Sequence, residues 1–161
     1  MVQKGSRPRV RTSTVLHGRG VAVSYAEAAE WFQKAADQGH EDALYSLGLA
    51  FENGCGVTQS HAEAIQCLKK VAEQGHVLSQ QSIGEFYFHG RDVAENDTEA
   101  FTWLRKAANQ GLPKAQCMLG VLFEDGRGVP QNKEETARWY RKALDQRCQQ
   151  AQEFLEGLSN Q

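Results

Sequence analysis

The sequence predicts an all-α solenoid of 36-residue helix–turn–helix units, and three observations carry that prediction. Lys34, Lys70, Lys106 and Lys142 mark one slot at an unbroken spacing of 36 residues. One apolar line recurs around them without a gap: Ala28-Ala29-Glu30-Trp31-Phe32, Ala64-Ile65-Gln66-Cys67-Leu68, Ala100-Phe101-Thr102-Trp103-Leu104 and Thr136-Ala137-Arg138-Trp139-Tyr140. Glycines recur at fixed offsets, ending one helix at Gly39, Gly75 and Gly111 and the other at Gly54, Gly90 and Gly126. A period of 20–50 residues marks an array whose units bury their apolar faces only against their neighbours.

The elements follow in chain order. Residues 1–23 form a separate basic tail, with Lys4, Arg7, Arg9, Arg11 and Arg19 and no acid, whereas the rest holds thirteen basic and twenty acidic residues. Within the tail, Leu16-His17-Gly18-Arg19-Gly20-Val21 keeps the repeat's exit turn, but Arg7, Arg11 and Thr12 fill the slots of Ala43, Leu47 and Gly48, and Pro8 sits in a helix interior. The first A helix is therefore expected to be missing, which would leave Trp31 and Phe32 uncovered at the end of the array, residues 24–161. Each B helix starts at a cap: Ser24, Ser60, Asn96 and Asn132 stand three residues before Glu27, Glu63, Glu99 and Glu135, the capping-box arrangement. Each A helix keeps a small or apolar stripe, through Ala43, Leu47, Ala50 and Phe51, then Ser79, Ile83, Phe86 and Tyr87, then Ala115, Leu119, Leu122 and Phe123, as a core face must. Gly48, Gly84 and Gly120 lie inside these helices, where glycine costs about 1 kcal/mol against alanine. That cost predicts close approach by a neighbouring helix.

These residues carry a resemblance. The Leu-Gly pair, the Gly-x-Gly-Val turn, the Ala-x-x-Trp line and the Lys-Ala-Ala-x-x-Gly ending recur in order over residues 24 to about 157, and the chain resembles the Sel1-like repeat family, relatives of the tetratricopeptide proteins. The resemblance implies a right-handed α/α superhelix that serves as a scaffold or adaptor for other proteins, with the A helices lining its concave side.

Several chemistries find no support in the residues. Cys55, Cys67, Cys117 and Cys148 occupy four different slots, so no repeating bridge is specified and no CxxC spacing suits zinc. This departs from the cysteine-rich members of the family, some described as binding or hydrolysing β-lactams, and leaves a hydrolase as the third-ranked function. His40 and His76 share a slot, as do His17 and His89, but equivalent slots on stacked helices about 8–10 Å apart cannot meet at one ion, so these histidines are assigned to turns and caps. No nucleophile with a base and an orienting group is recognisable. No catalytic residue, metal or cofactor is therefore expected, and no small-molecule substrate. The aromatics at 36-residue spacing read as inter-helix core rather than a stacking platform, and net charge of −2 does not point to nucleic acid. No apolar run approaches the about 18 residues of a membrane span. The cysteine usage predicts a cytoplasmic protein, whereas the acid-free start has features of a mitochondrial transit segment, and a native start further upstream would leave export open.

What differs among the units then carries the functional expectation. Opposite the core stripe, the A helices present Tyr45, Leu49 and Glu52, then Gln81, Glu85 and Phe88, then Cys117, Val121 and Glu124. Core requirements repeat from unit to unit, whereas a partner-facing surface need not. The resemblance places this stripe in the concave groove, so Tyr45, Leu49, Glu52, Gln81, Glu85, Phe88, Val121 and Glu124 are expected to bind a peptide or helix with apolar and basic side chains. The alternative is an array fragment or self-associating unit that stacks through Trp31 and Phe32.

Overall fold

The structure, a computed structural model, describes residues 24–90, 94–146 and 151–152. The tail 1–23, turn residues 91–93, and Arg147 and Cys148 lie outside the described residues. Seven helices follow one another: α1 (Tyr25–Asp37), α2 (Glu41–Asn53), α3 (His61–Ala72), α4 (Val77–His89), α5 (Asp97–Asn109), α6 (Pro113–Asp125) and α7 (Lys133–Asp145), with no strand among the described residues. Each packs chiefly against the helix before and the helix after it. The array is thus one-dimensional, and its stability is set by neighbour-to-neighbour interfaces.

The closest of these interfaces explains the glycines inside the A helices. Leu68, Leu104 and Tyr140 are fully buried where α3, α5 and α7 meet α2, α4 and α6. A Cβ added at Gly48 would lie 2.8 Å from Leu68, one at Gly84 2.6 Å from Leu104, and one at Gly120 2.4 Å from Tyr140. Each glycine is therefore a notch that admits a large side chain of the following helix. The slot of these knobs in α1 is Phe32, whose notch position is Thr12.

Helix ends conform in part to the sequence expectation. Gly54, Gly90 and Gly126 close the A helices in the left-handed conformation, as the fixed offsets require. Ser60, Asn96 and Asn132 cap α3, α5 and α7 by accepting from the N–H groups of Glu63 (3.3 Å), Glu99 (3.1 Å) and Glu135 (3.0 Å). Ser24 makes no such bond. The reciprocal half of the capping box is replaced. The cap N–H groups of Ser60, Asn96 and Asn132 donate to the carbonyls of Phe51, Tyr87 and Phe123 in the preceding A helix, and the carboxylates of Glu99 and Glu135 accept the indole N–H groups of Trp103 and Trp139 instead. Tertiary donors and acceptors have taken over the local partners.

A second polar device ties the units together. Gln80, almost fully buried, donates to the Ala72 carbonyl at 2.9 Å and accepts from Gln110 at 2.8 Å, and Gln116 repeats this with Ala108 (3.2 Å) and Gln146 (3.1 Å). Buried amides are stable only when their groups are paired, and here one glutamine satisfies the other. The first unit has Leu44 in this slot and fills it with apolar packing.

The notch makes a sign prediction. Gly84→Ala gains about 1 kcal/mol of helix propensity, but its methyl group meets Leu104, whose backbone nitrogen stands 3.2 Å away and cannot rotate aside. Overpacking of this kind costs about 1–3 kcal/mol. Urea unfolding followed by circular dichroism is therefore expected to show a lower midpoint for Gly84→Ala.

Candidate protein-binding groove

The A helices α2, α4 and α6 bring the variable stripe to the surface in register. Three core slots are buried in each unit, at Ala43, Leu47 and Ala50, at Ser79, Ile83 and Phe86, and at Ala115, Leu119 and Leu122, whereas the fourth, at Phe51, Tyr87 and Phe123, is only partly buried and packs at the edge of the core. The stripe residues Tyr45, Leu49, Glu52, Gln81, Glu85, Phe88, Val121 and Glu124 are each half-exposed, and none is buried. Cys117 is the exception on that stripe. It is 2 % exposed because Ala143 and Ala151 pack over it, so the open face narrows at α6.

Side chains outside the stripe set its chemistry. The ring of Tyr45 packs at a tilt of 52° against His76, the cap of α4, at 4.6 Å between centroids, and His76 Nδ1 in turn receives the Ser79 N–H at 3.2 Å. The cap role expected of His76 is therefore seen; His40 precedes α2 without a side-chain cap bond. Burial, with the nearby Glu52 carboxylate adding to it, pushes the Tyr45 phenol above its ordinary value. Glu85 accepts from Gln81 at 2.8 Å and pairs with Lys114 at 2.7 Å. Phe88 lies under the Arg127 guanidinium, 4.4 Å from the ring centre, while Arg127 also donates to the Phe88 carbonyl and pairs with Asp97 at 2.7 Å. Glu124 accepts from the Tyr140 hydroxyl at 2.6 Å.

Lys114 and Arg127 were not legible as site residues. Lys114 shares its slot with Asp42 and Leu78, and Arg127 looks like any turn residue between two glycines. Their placement means that part of the acidity counted along the stripe is already balanced from within. Arg127 in particular fastens α4 to the start of α5 and to the turn after α6, and its guanidinium is held charged chiefly by its hydrogen bond to Asp97.

The end face is also open. Trp31 is 68 % and Phe32 36 % exposed, whereas Trp103 and Trp139 in the slot of Trp31 are 6 % exposed. Trp31, Phe32, Ala35 and Ala43 line a wide depression of about 720 Å³ rimmed by His40, Glu41 and Asp42. Cys55, Cys67 and Cys117 are unbridged. Burial and Glu63 push the Cys67 thiol up, against a smaller opposing effect of Lys70, so it resists becoming a nucleophilic thiolate. Among the described residues no three His, Cys, Asp or Glu side chains converge on a common point for a metal, and no helix is long and apolar enough to cross a membrane.

Stacked helix pairs, each packed on the next, define a helical repeat protein. The chain belongs to the Sel1 repeat family, whose model matches residues 14–40, 41–76, 77–112 and 113–148. The first match is the short one and begins beyond Thr12. Among solved structures, a protective antigen of uropathogenic Escherichia coli strains displaying an SLR fold is 34 % identical, with a TM-score of 0.79 over 83 % of this chain. The chain spans only 28 % of that protein's length. A Sel1 repeat protein from Oxalobacter formigenes is 35 % identical with a TM-score of 0.69, covering 80 % of this chain and 96 % of its own. The Helicobacter pylori cysteine rich protein B, 22 % identical, shares the fold with a TM-score of 0.57 over 78 % of this chain and 96 % of its own. No curated protein matches the sequence. The fold is thus an all-α repeat superhelix, and proteins built from Sel1 repeats are in general protein-interaction scaffolds.

The Tyr140–Glu124 bond predicts an alkaline limit to stability. Burial first, then the hydrogen bond to Glu124, raises the Tyr140 phenol well above the ordinary tyrosine value. The native state therefore keeps the proton where the unfolded chain, near pH 10 and above, loses it. Stability from this site is fully present below about pH 10 and falls as pH rises past it. Denaturation midpoints measured from pH 8 to 11 are expected to decline less steeply in Tyr140→Phe than in the wild type.

Proposed function

We propose that this chain is a non-enzymatic scaffold that holds an extended peptide or a helix of a partner protein on the stripe formed by α2, α4 and α6. The observation that supports this most is the contrast within each A helix: Ala43, Leu47 and Ala50 and their equivalents are buried in every unit, while Tyr45, Leu49, Val121 and their neighbours stay partly exposed and vary. Apolar side chains left wet on a rigid, repeated framework are what a preformed recognition surface presents. The partner's segment carries apolar side chains for Tyr45, Leu49 and Val121. Basic groups among them suit the carboxylates of Glu52, Glu85 and Glu124, with Lys114 and Arg127 limiting how much positive charge is favoured. Binding of this kind needs no reaction, and the raised Cys67 thiol lends no support to a hydrolase. Free cysteines accord with a reducing, cytoplasmic setting.

A second reading has its own observation. The exposed Trp31 and Phe32 support self-association through the α1 end, and a sedimentation coefficient that rises with concentration and is reset by Trp31→Ala would favour it over the groove.

For the groove, the double variant Leu49→Glu, Val121→Glu is compared with the wild type in affinity capture from the native source, with melting temperatures measured in parallel. The expected outcome is a partner bound at least tenfold more weakly, about 1.4 kcal/mol, at an unchanged melting temperature. Equal capture by both proteins would remove the groove from consideration.

A further inference from the structure

Leu68, Leu104 and Tyr140 are fully buried against the notches at Gly48, Gly84 and Gly120. Phe32 holds the same slot in α1 and stays 36 % exposed, and Trp31 beside it stays 68 % exposed. The two rings line the depression of about 720 Å³ that Glu41 and Asp42 rim. An A helix seated on α1 as α2, α4 and α6 are seated on α3, α5 and α7 would cover Phe32 and pack on Trp31. The repeated contacts define what such a helix presents.

Counted from the first residue of an A helix, the notch glycines stand at position 8. Positions 7 and 10 are Ile83 and Phe86 in α4, which share a core cluster with Trp103, and Leu119 and Leu122 in α6, which share one with Trp139. Position 9 of α4 is Glu85, and it pairs at 2.7 Å with Lys114, position 2 of the following A helix. Position 2 of α2 is Asp42, exposed, with Glu41 beside it. The sign of the pair is therefore reversed at the open end: a helix seated there meets a carboxylate, and a cation at its position 9 complements it. The sequence of this chain does not supply such a helix. Its three notches are filled by its own side chains, and Glu156 stands in the next notch slot. The tail puts Arg11, Thr12, Ser13 and Thr14 at positions 7 to 10, where the notch slot carries a branched Cβ and the apolar slots are polar.

We propose that the α1 end binds an amphipathic helix of a different protein, one that carries an apolar residue, glycine, lysine or arginine, and a second apolar residue in succession. Phe32 enters the glycine notch, as Leu68, Leu104 and Tyr140 do within the array. The apolar residues on either side of the notch pack on Trp31, and Asp42 pairs with the cation. Apolar anchors on an amphipathic helix give the affinity, as in other helix-in-groove contacts. The charge selects among helices, since a like charge at position 9 is set against Asp42. The face is the one that also supports self-association, but the occupant is a partner's helix in place of a second copy. It is separate from the stripe of Tyr45, Leu49 and Val121, so either surface can fail without the other.

The test is a titration of the isotope-labelled full chain, under reducing conditions, with synthetic peptides built on the α6 sequence Leu112–Gly126. Isolated helices of this length are marginal in water, so each peptide is held helical by a covalent side-chain bridge on its outer face. The V121K peptide, which reads Leu-Gly-Lys-Leu at positions 7 to 10, is expected to give saturating shifts of the Trp31 indole N–H and of the Phe32 and Asp42 amides. The V121E peptide should bind about fivefold more weakly. Adding G120L to the V121K peptide closes the notch and should abolish saturation. In the protein, Asp42→Lys should reverse the order of the V121K and V121E peptides. Shifts that do not saturate with V121K overturn the proposal, as do equal affinities for V121K and V121E or binding that survives G120L. Two further outcomes, read without peptide, reassign the face and overturn it too. A Trp31 indole signal that moves with protein concentration assigns the face to a second copy. One that moves when Arg7→Glu and Arg11→Glu are introduced assigns it to the chain's own tail.

Discussion

The architecture depends on the contact between an A-helix glycine and the large side chain that the next helix lodges against it. Without a Cβ at Gly48, Gly84 or Gly120, the backbone of one helix approaches close enough for Leu68, Leu104 or Tyr140 to be wholly buried. Dense contact of this kind recovers more dispersion and burial energy than the about 1 kcal/mol that glycine costs a helix. Everything else in the unit is placed by that distance. The B helix can set its cap against the carbonyls of the A helix, and its tryptophan can reach back over the previous unit, because the pair is locked at the notch.

Polar groups follow the same logic of neighbours in place of local partners. Glu99 and Glu135 stand where a capping box wants them, yet their carboxylates serve the indoles of Trp103 and Trp139. Gln80 and Gln116 carry an amide through the core and are satisfied by a carbonyl of one helix and the glutamine that ends another. Such pairings make each unit specify the position of the next. A unit with a substitution in one slot, Leu44 for glutamine or Cys67 for tryptophan, keeps its notch at Gly48 and its cap at Ser60.

Function in a repeat array is written in the slots that packing leaves unconstrained. Each A helix has an obligatory side and a side that faces away from the core, and only the latter can diverge without loss of stability. Tyr45, Gln81 and Cys117 share one position and have three fates: the first packs at a tilt against a histidine, the second braces Glu85, and the third disappears under Ala143 and Ala151. The stripe is therefore graded along the array, more open at α2 and α4 than at α6. Two of its acids are engaged from within, Glu85 by Lys114 and Glu124 by Tyr140.

The sequence by itself determined the number of units, their helix boundaries, the caps at Ser60, Asn96 and Asn132 and the half-exposed placement of the stripe, because each of these follows from periodicity and from interactions within a few residues. It also foretold the open end at Trp31 and Phe32, since a knob without a notch can be counted from the period. Only the tertiary structure decided where the capping glutamates spend their carboxylates, that Ser24 makes no side-chain cap bond, that Arg127 covers Phe88, and that Cys67 lines an open cavity. Those outcomes turn on which side chains from different units come within hydrogen-bond or van der Waals reach. That reach is fixed by how the helices stack, and a linear pattern does not contain it.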